Sequence, residues 1–134
     1  MKNNRRELFD FNNKVVLITG ASGGMGSELS KSFLNSGAKV ILHYNNNRRK
    51  IDKLKREAIG LGEKIVIVKA DATKYSEVQD AVQAGISEFG SIDILINTIG
   101  VYSDAPVWKM NTDTWRKIID TNLTGNFYFT KEHE

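Results

Sequence analysis

Thr19, Gly20, Ala21, Ser22, Gly23, Gly24, Met25 and Gly26 form the stretch whose residue types and spacing carry the plainest chemistry. The short apolar run Val15, Val16, Leu17, Ile18 leads into it, and residues with helical apolar spacing follow it. A strand that ends in a glycine-rich bend and opens directly into a helix aims backbone N–H groups at one point, the helix N-terminus. That arrangement holds a phosphate. The chemistry implied is capture of the pyrophosphate of a nucleotide.

Two further side chains stand out. Asn122 shares an apolar stripe with Trp115, Ile118, Ile119 and Leu123, and a buried amide needs partners or costs on the order of a few kcal/mol. It is either a functional amide or a satisfied core residue near a helix kink favoured by Gly125; a polar group buried without purpose is disfavoured. Asp71 follows an apolar run and serves either a ligand or the turn and N-cap of the next helix. His43 and His133 are isolated, and no Ser/His/Asp triad or metal cluster is legible, so no metal site is expected.

Bulk properties remove other functions. The chain has 134 residues, 40% hydrophobic and 26% charged, which suits one domain with a real core. With no cysteine there is no disulfide, thiolate metal site or cysteine nucleophile. The net charge of +3 is local, from Arg5 and Arg6 and then Arg48, Arg49, Lys50, Lys53, Lys55 and Arg56. A nucleic-acid binder carries a stronger, more aromatic-interleaved basic face. No apolar run nears the ~20 residues of a membrane helix, and residues 1–12 lack a signal-peptide core. The expectation is a cytoplasmic chain with no nucleic-acid or membrane partner.

The elements that must position these residues alternate. Strands are expected at 14–19, 39–43, 64–69 and 92–96. Helices are marked by Met25, Leu29, Phe33, then by Ile51, Leu54, Ala58, Leu61, then by Val78, Ala81, Val82, Ile86, Phe89. Glycines 37, 60, 62 and 90 supply the stops. A loop at 97–111 contains Pro106, the only proline, and a last helical face carries Trp115, Ile118, Ile119, Leu123 and Phe127. Alternating β and α units imply a parallel sheet covered on both faces, and right-handed crossovers give the strand order 3-2-1-4. The fold class is α/β, an incomplete Rossmann-like doubly wound sheet, with residues 1–12 a polar extension and 13–134 the N-terminal half of a dinucleotide-binding domain.

The turn reads T-G-x-x-x-G-x-G and not G-x-G-x-x-G, and in this it resembles the short-chain dehydrogenase/reductase family. By role, Gly20 permits the tight exit from the strand, Gly24 lets backbone approach the pyrophosphate, and Gly26 allows close helix packing; Ser22, Gly23 and Met25 complete the cofactor-binding bend. The resemblance covers nearly the whole chain. It implies that Asp71, with Ala72 beside it, faces the adenine ring. Asn97, Thr98, Ile99 and Gly100 stand where the family has Asn-Asn-Ala-Gly, so Asn97 and Gly100 match and Thr98 and Ile99 depart. The segment from Asp120 to Gly125 is similar to the one whose asparagine orients a water in the family's proton relay, which gives Asn122 a supporting catalytic role. The loop after Gly100 looks like the β-ketoacyl-carrier-protein reductase branch.

NAD-using relatives end the second strand with an acid for the ribose hydroxyls. That position falls at Tyr44, and no carboxylate stands there or at Asn45, Asn46 or Asn47. Arg48 and Arg49 follow, and guanidinium geometry suits phosphate. NADP(H) is therefore the expected cofactor and NAD the alternative; many NADP-using relatives place a base where this chain has Gly23.

The family's chemistry comes from a serine and Tyr-x-x-x-Lys, which lie later in the family than the segment matching Thr130. Tyr128 and Lys131 have the wrong spacing. The expectation is the cofactor-binding portion of a reductase that converts a 3-oxoacyl-type carbonyl to an alcohol in the complete, homo-oligomeric enzyme. The isolated chain is expected to be inactive, with the strand at 92–96 left as an apolar edge. The alternatives are a non-catalytic dinucleotide-binding or interaction module and a truncated product.

Overall fold

The computed structural model describes residues 9–134; Arg5, Arg6 and most of the expected extension lie outside the described residues. Four strands form one sheet: β1 Val15–Thr19, β2 Lys39–Tyr44, β3 Ile65–Lys69 and β4 Ile94–Asn97. The order is β3-β2-β1-β4, and every pairing is parallel. Leu17 lies between Ile41 and Leu95 in register. β1 is fully buried because it is central and covered on both faces, which is why it reads as an unbroken apolar run.

The helices are α1 Gly24–Asn35, α2 Arg48–Glu57, α3 Tyr75–Phe89, α4 Thr112–Ile119 and α5 Asn126–Glu132. On one face, Val16, Ile18, Val40 and Leu42 pack with Leu34 of α1 and with Ile51 and Leu54 of α2. On the other, Leu17, Ile41 and Val68 pack with Val78, Ala81 and Val82 of α3 and Phe129 of α5. A Cβ on Gly85 would meet the Ile41 side chain at 2.6 Å, so α3 lies unusually close to β2. Gly90 stops α3 in the left-handed conformation, φ +88.

Two expectations about the helices shift. The buried line of α1 is Gly26, Ser30 and Leu34, while Met25 is 72% exposed. The close-packed member of that line has no side chain, so apolar spacing could not reveal it. Ser30 fits because its hydroxyl donates to the Gly26 carbonyl at 2.6 Å. The last helical face also fails to bury: Trp115, Leu123 and Phe127 stand 57%, 66% and 59% exposed. A π-helical turn, Asp120–Gly125, separates α4 from α5. Its extra residue per turn breaks the 3.6 period, so Gly125 and Phe129 are the residues that face inward.

β4 pairs with β1 alone among the described residues and is half-buried along Ile94, Leu95 and Ile96. It begins two residues later than expected because Asp93 is engaged at the start of β1. The Asp93 carboxylate accepts from the Val15 N–H at 2.8 Å, and its own N–H donates to the Val15 carbonyl.

Candidate nucleotide site

An open cleft of about 480 Å³ lies beyond the carboxyl ends of the strands. It forms where the chain leaves β1 toward one side of the sheet and β4 leaves on the other, the switch point at which open α/β sheets bind ligands. Its walls are the bend after β1 (Gly20, Ser22, Gly23), the exit of β2 (His43, Asn45, Asn46, Asn47) and the exit of β3 (Asp71, Ala72, Thr73). The exit of β4 (Thr98 to Val101) closes it, with Lys117 and Thr121 at the rim.

The bend owes its shape to its glycines. Gly20 takes φ +67, a conformation L side chains rarely adopt, and Gly23 N–H closes back on the Gly20 carbonyl at 3.0 Å. A Cβ on Gly26 would lie 2.3 Å from that same carbonyl oxygen, so the start of α1 presses against the bend itself. At Gly24 nothing comes within 4 Å of the Cβ position. That open space lies at the first residue of α1, where a phosphate can reach the free N–H groups.

Side chains cross-tie the strand ends. The Thr19 hydroxyl lies 3.2 Å from Asn97 Oδ1 and accepts from the Thr98 N–H, while the Thr98 hydroxyl donates to the Thr19 carbonyl. Asn97 Nδ2 reaches the Thr130 hydroxyl on α5 at 3.4 Å. Asp71 accepts from both the N–H and the hydroxyl of Thr73, and the Thr73 hydroxyl holds its carboxyl below the ordinary range. Its own N–H donates to Glu77 at 2.7 Å, a bond that likewise lowers Glu77. Asp71 thus builds the turn before α3 while lining the cleft.

Of the residues proposed from sequence, Gly20, Ser22, Gly23, Asn45, Asp71, Ala72 and Gly100 converge on the cleft. Gly24 lies in an adjoining depression with Ser27, Lys31, Lys50 and Lys53. Tyr44 does not reach the cleft. It is 7% exposed and joins the core on the α1/α2 face, because the strand alternation that turns His43 one way turns Tyr44 the other. Arg48 follows Tyr44 rather than the cleft: its guanidinium holds Asp52 at 2.9 Å and lies over the Tyr44 ring.

Asn122 is exposed, not buried, because the π turn carries it off the inward face. Its amide is nonetheless engaged through both its oxygen and its nitrogen. Oδ1 accepts from the Val101 N–H and Nδ2 donates to the Val101 carbonyl, both at 2.7 Å. Sequence reasoning passed over His43, a polar residue in a buried strand whose need for partners was the available signal.

The family model for short chain dehydrogenase matches residues 14–133. The chain belongs to the short-chain dehydrogenase family. A 3-oxoacyl-acyl-carrier-protein reductase of Synechocystis sp. is 32% identical over 118 residues, which are 88% of this chain and 48% of the relative. A reductase of the same name from Staphylococcus epidermidis is 32% identical, covering 86% of this chain and 47% of its own length. A crystal structure of a short-chain dehydrogenase/reductase (glucose/ribitol dehydrogenase) from Brucella melitensis superposes with a TM-score of 0.87 at 32% identity, covering 93% of this chain and 52% of that one. The chain therefore spans about half the length of the curated relatives it matches. Among the described residues, no helix is long and apolar enough to cross a membrane, and no cluster of metal-ligating side chains occurs.

Proposed function

We propose that this chain is the dinucleotide-binding part of an NADP(H)-dependent short-chain oxidoreductase, acting in the complete enzyme on a 3-oxoacyl-type carbonyl. One observation carries the cofactor reading: at the switch point of the sheet, Gly20 bends the chain at positive φ and Gly24 leaves open space before the N-terminus of α1. The donor set suits a dinucleotide. Backbone N–H groups of the bend and α1 face the pyrophosphate, and Asp71 with Ala72 flanks the base. Three asparagines rather than an acid line the exit of β2.

The NADP(H) preference rests on the adjoining depression. Ser22 and Ser27 lie there beside Lys50, which makes no ion pair among the described residues, whereas Arg48 is tied to Asp52. A 2′-phosphate meets Lys50 and hydroxyls there, while Glu57, which also lines the depression, is held by Lys31 and Lys53. When bound, the nicotinamide supplies a hydride. The chain's own contribution is to hold the cofactor and to fix the loop after β4 through Asn122.

No tyrosine in the sequence is followed four residues later by lysine, so the chain by itself is expected to bind without turnover. The reductase names of its relatives support the substrate class. The exposed Trp115, Leu123 and Phe127 support a homo-oligomer. Calorimetric titration of the chain with NADPH and NADH tests the reading. NADPH bound several-fold more tightly than NADH supports it; equal or reversed affinities overturn the preference, and no binding of either overturns the function.

A further inference from the structure

His43 is 1% exposed, yet both ring nitrogens have partners of fixed polarity. Nε2 lies 2.9 Å from the Ala70 carbonyl oxygen, which can only accept; Nδ1 lies 3.1 Å from the Gly20 N–H, which can only donate. The ring must therefore carry its proton on Nε2 and leave Nδ1 bare. The main chain of the same residue adds a third tie, because its carbonyl accepts from the Ala21 N–H at 2.8 Å. The first two residues of the glycine bend thus both bond to one residue of β2. Through Ala70 that residue also grips the exit of β3, where Asp71 and Ala72 line the opposite wall. Phe129 of α5 closes over the ring, centroid to centroid 4.6 Å.

We propose that His43 is a positioning residue for the phosphate-binding bend, a neutral strut that sets Gly20 against Ala70 and so fixes the distance between the two walls of the cleft. The inference rests on the dinucleotide reading for its purpose, though not for its geometry. Gly20 sits at φ +67, one of the many conformations open to glycine, and its N–H has a side-chain acceptor rather than a sheet partner, so without the imidazole the bend loses a bond that pins Gly20 in that conformation. A second proton on the ring would turn Nδ1 into a donor aimed at another donor. Burial opposes that proton, with the Ala70 carbonyl acting weakly the other way. Among the ionisable groups near this face, Asp71 bonds Thr73, Glu77 bonds the Asp71 N–H and Lys74, Glu132 bonds Tyr75 and Lys131 lies over the Tyr75 ring; Asp80 and Glu88 of α3 and Lys69 of β3 complete the set, and the only hydrogen-bond partners of the imidazole among the described residues are Gly20 and Ala70.

The test joins ring NMR to hydrogen exchange and binding in the 134-residue chain. Nitrogen-15 spectra of wild type are expected to show Nε2 protonated and Nδ1 bare at neutral pH; the opposite tautomer, or a doubly protonated ring, overturns the inference without any variant. His43→Phe keeps the buried ring and removes both polar atoms. It is expected to speed Gly20 amide exchange at least about tenfold and to weaken NADH binding by a similar factor. His43→Gln restores a donor and an acceptor that do not titrate. It is expected to recover most of both and to stay flat on acidification, where wild type loses NADH affinity as the ring is driven to take a second proton; NADH is chosen because its diphosphate keeps its charge over that range. Gly20 exchange unchanged in both variants overturns the strut. If wild type binds no dinucleotide, the function fails while the tautomer and exchange results still decide the strut.

Discussion

The side-chain amide of Asn122 clamps the backbone of Val101 from both ends, accepting from its N–H and donating to its carbonyl at 2.7 Å each. This pair ties the π turn to the loop that closes the cleft after β4, and Gly100 lies beside it, its Cβ position 3.7 Å from Asn122 Oδ1. Both bonds are solvent-exposed, so their net worth is modest, about 1 kcal/mol in total. Asn122→Ala is expected to cost about that much in urea unfolding and to speed Val101 amide exchange. Asn122→Asp is expected to be worse than alanine, since it sets a carboxylate oxygen against the Val101 carbonyl.

Gly24 and Gly26 separate ligand binding from folding. Gly26→Ala drives a methyl into the Gly20 carbonyl, 2.3 Å away in the present backbone. A loss of about 3 kcal/mol or more in thermal unfolding is expected, because backbone cannot step aside as a flexible side chain can. Gly24→Ala meets nothing. It is expected to leave stability unchanged or raise it by about 0.5–1 kcal/mol, as a helix-favouring substitution. It fills the approach to the N–H groups, so NADPH affinity is expected to fall about tenfold or more.

Much of this was legible beforehand, for physical reasons. β1 and β2 are covered on both faces, so their sequences could hardly read as anything else, and parallel connections leave few orders for four strands. The residues that escaped reading are those whose surroundings, not whose types, decide their place. Apolar spacing favours Met25 as the buried position because Gly26 has no side chain to show its packing. A single helical period places Asn122 on the buried stripe, and the π turn breaks that period before it is reached. Tyr44 and His43 are adjacent and both buried, and only strand alternation sends Tyr44 to the α1/α2 face and His43 to the opposite face, under Phe129 at the base of the cleft.

Charge at the adjoining depression should separate the two cofactors. Lys50→Ala removes a cation that has no acidic partner among the described residues, whereas Arg48→Ala removes one already held by Asp52. Lys50→Ala is expected to weaken NADPH about five- to tenfold and NADH less than about twofold, on the scale of one phosphate contact. Arg48→Ala is expected to have the smaller effect on that ratio. Paired calorimetric titrations check both.

Acid should loosen the cleft in two stages. His43 is lowered from its ordinary 6.5 by burial. The unfolded chain therefore takes up its proton first, and the stability His43 contributes is full above 6.5 and lost as pH falls toward the folded value. Asp71 and Glu77 are lowered from 3.8 and 4.5 by the Thr73 hydroxyl and the Asp71 N–H respectively. Their contribution is present above those values and lost as pH falls through the depressed ones. Urea midpoints measured against pH are expected to show a shallow decline below about pH 6.5 that His43→Gln removes, and a steeper one at lower pH that Asp71→Asn reduces.

The homo-oligomer proposed above is expected to use the exposed Leu123 and Phe127 on the π turn and α5. Sedimentation of the paired Leu123→Lys, Phe127→Lys variant is expected to show monomer where wild type associates, with NADPH affinity retained. Association unchanged in the variant would place the contact elsewhere.

The most direct measurement is an amide nitrogen–proton NMR titration of the chain with NADPH. The expected result is that the earliest and largest shifts fall on Ser22, Gly23, Gly24 and Met25, followed by Asn45, Asp71 and Gly100. Saturating shifts confined to other surfaces, with the backbone of the glycine bend unmoved, would contradict the claim that this bend holds the pyrophosphate.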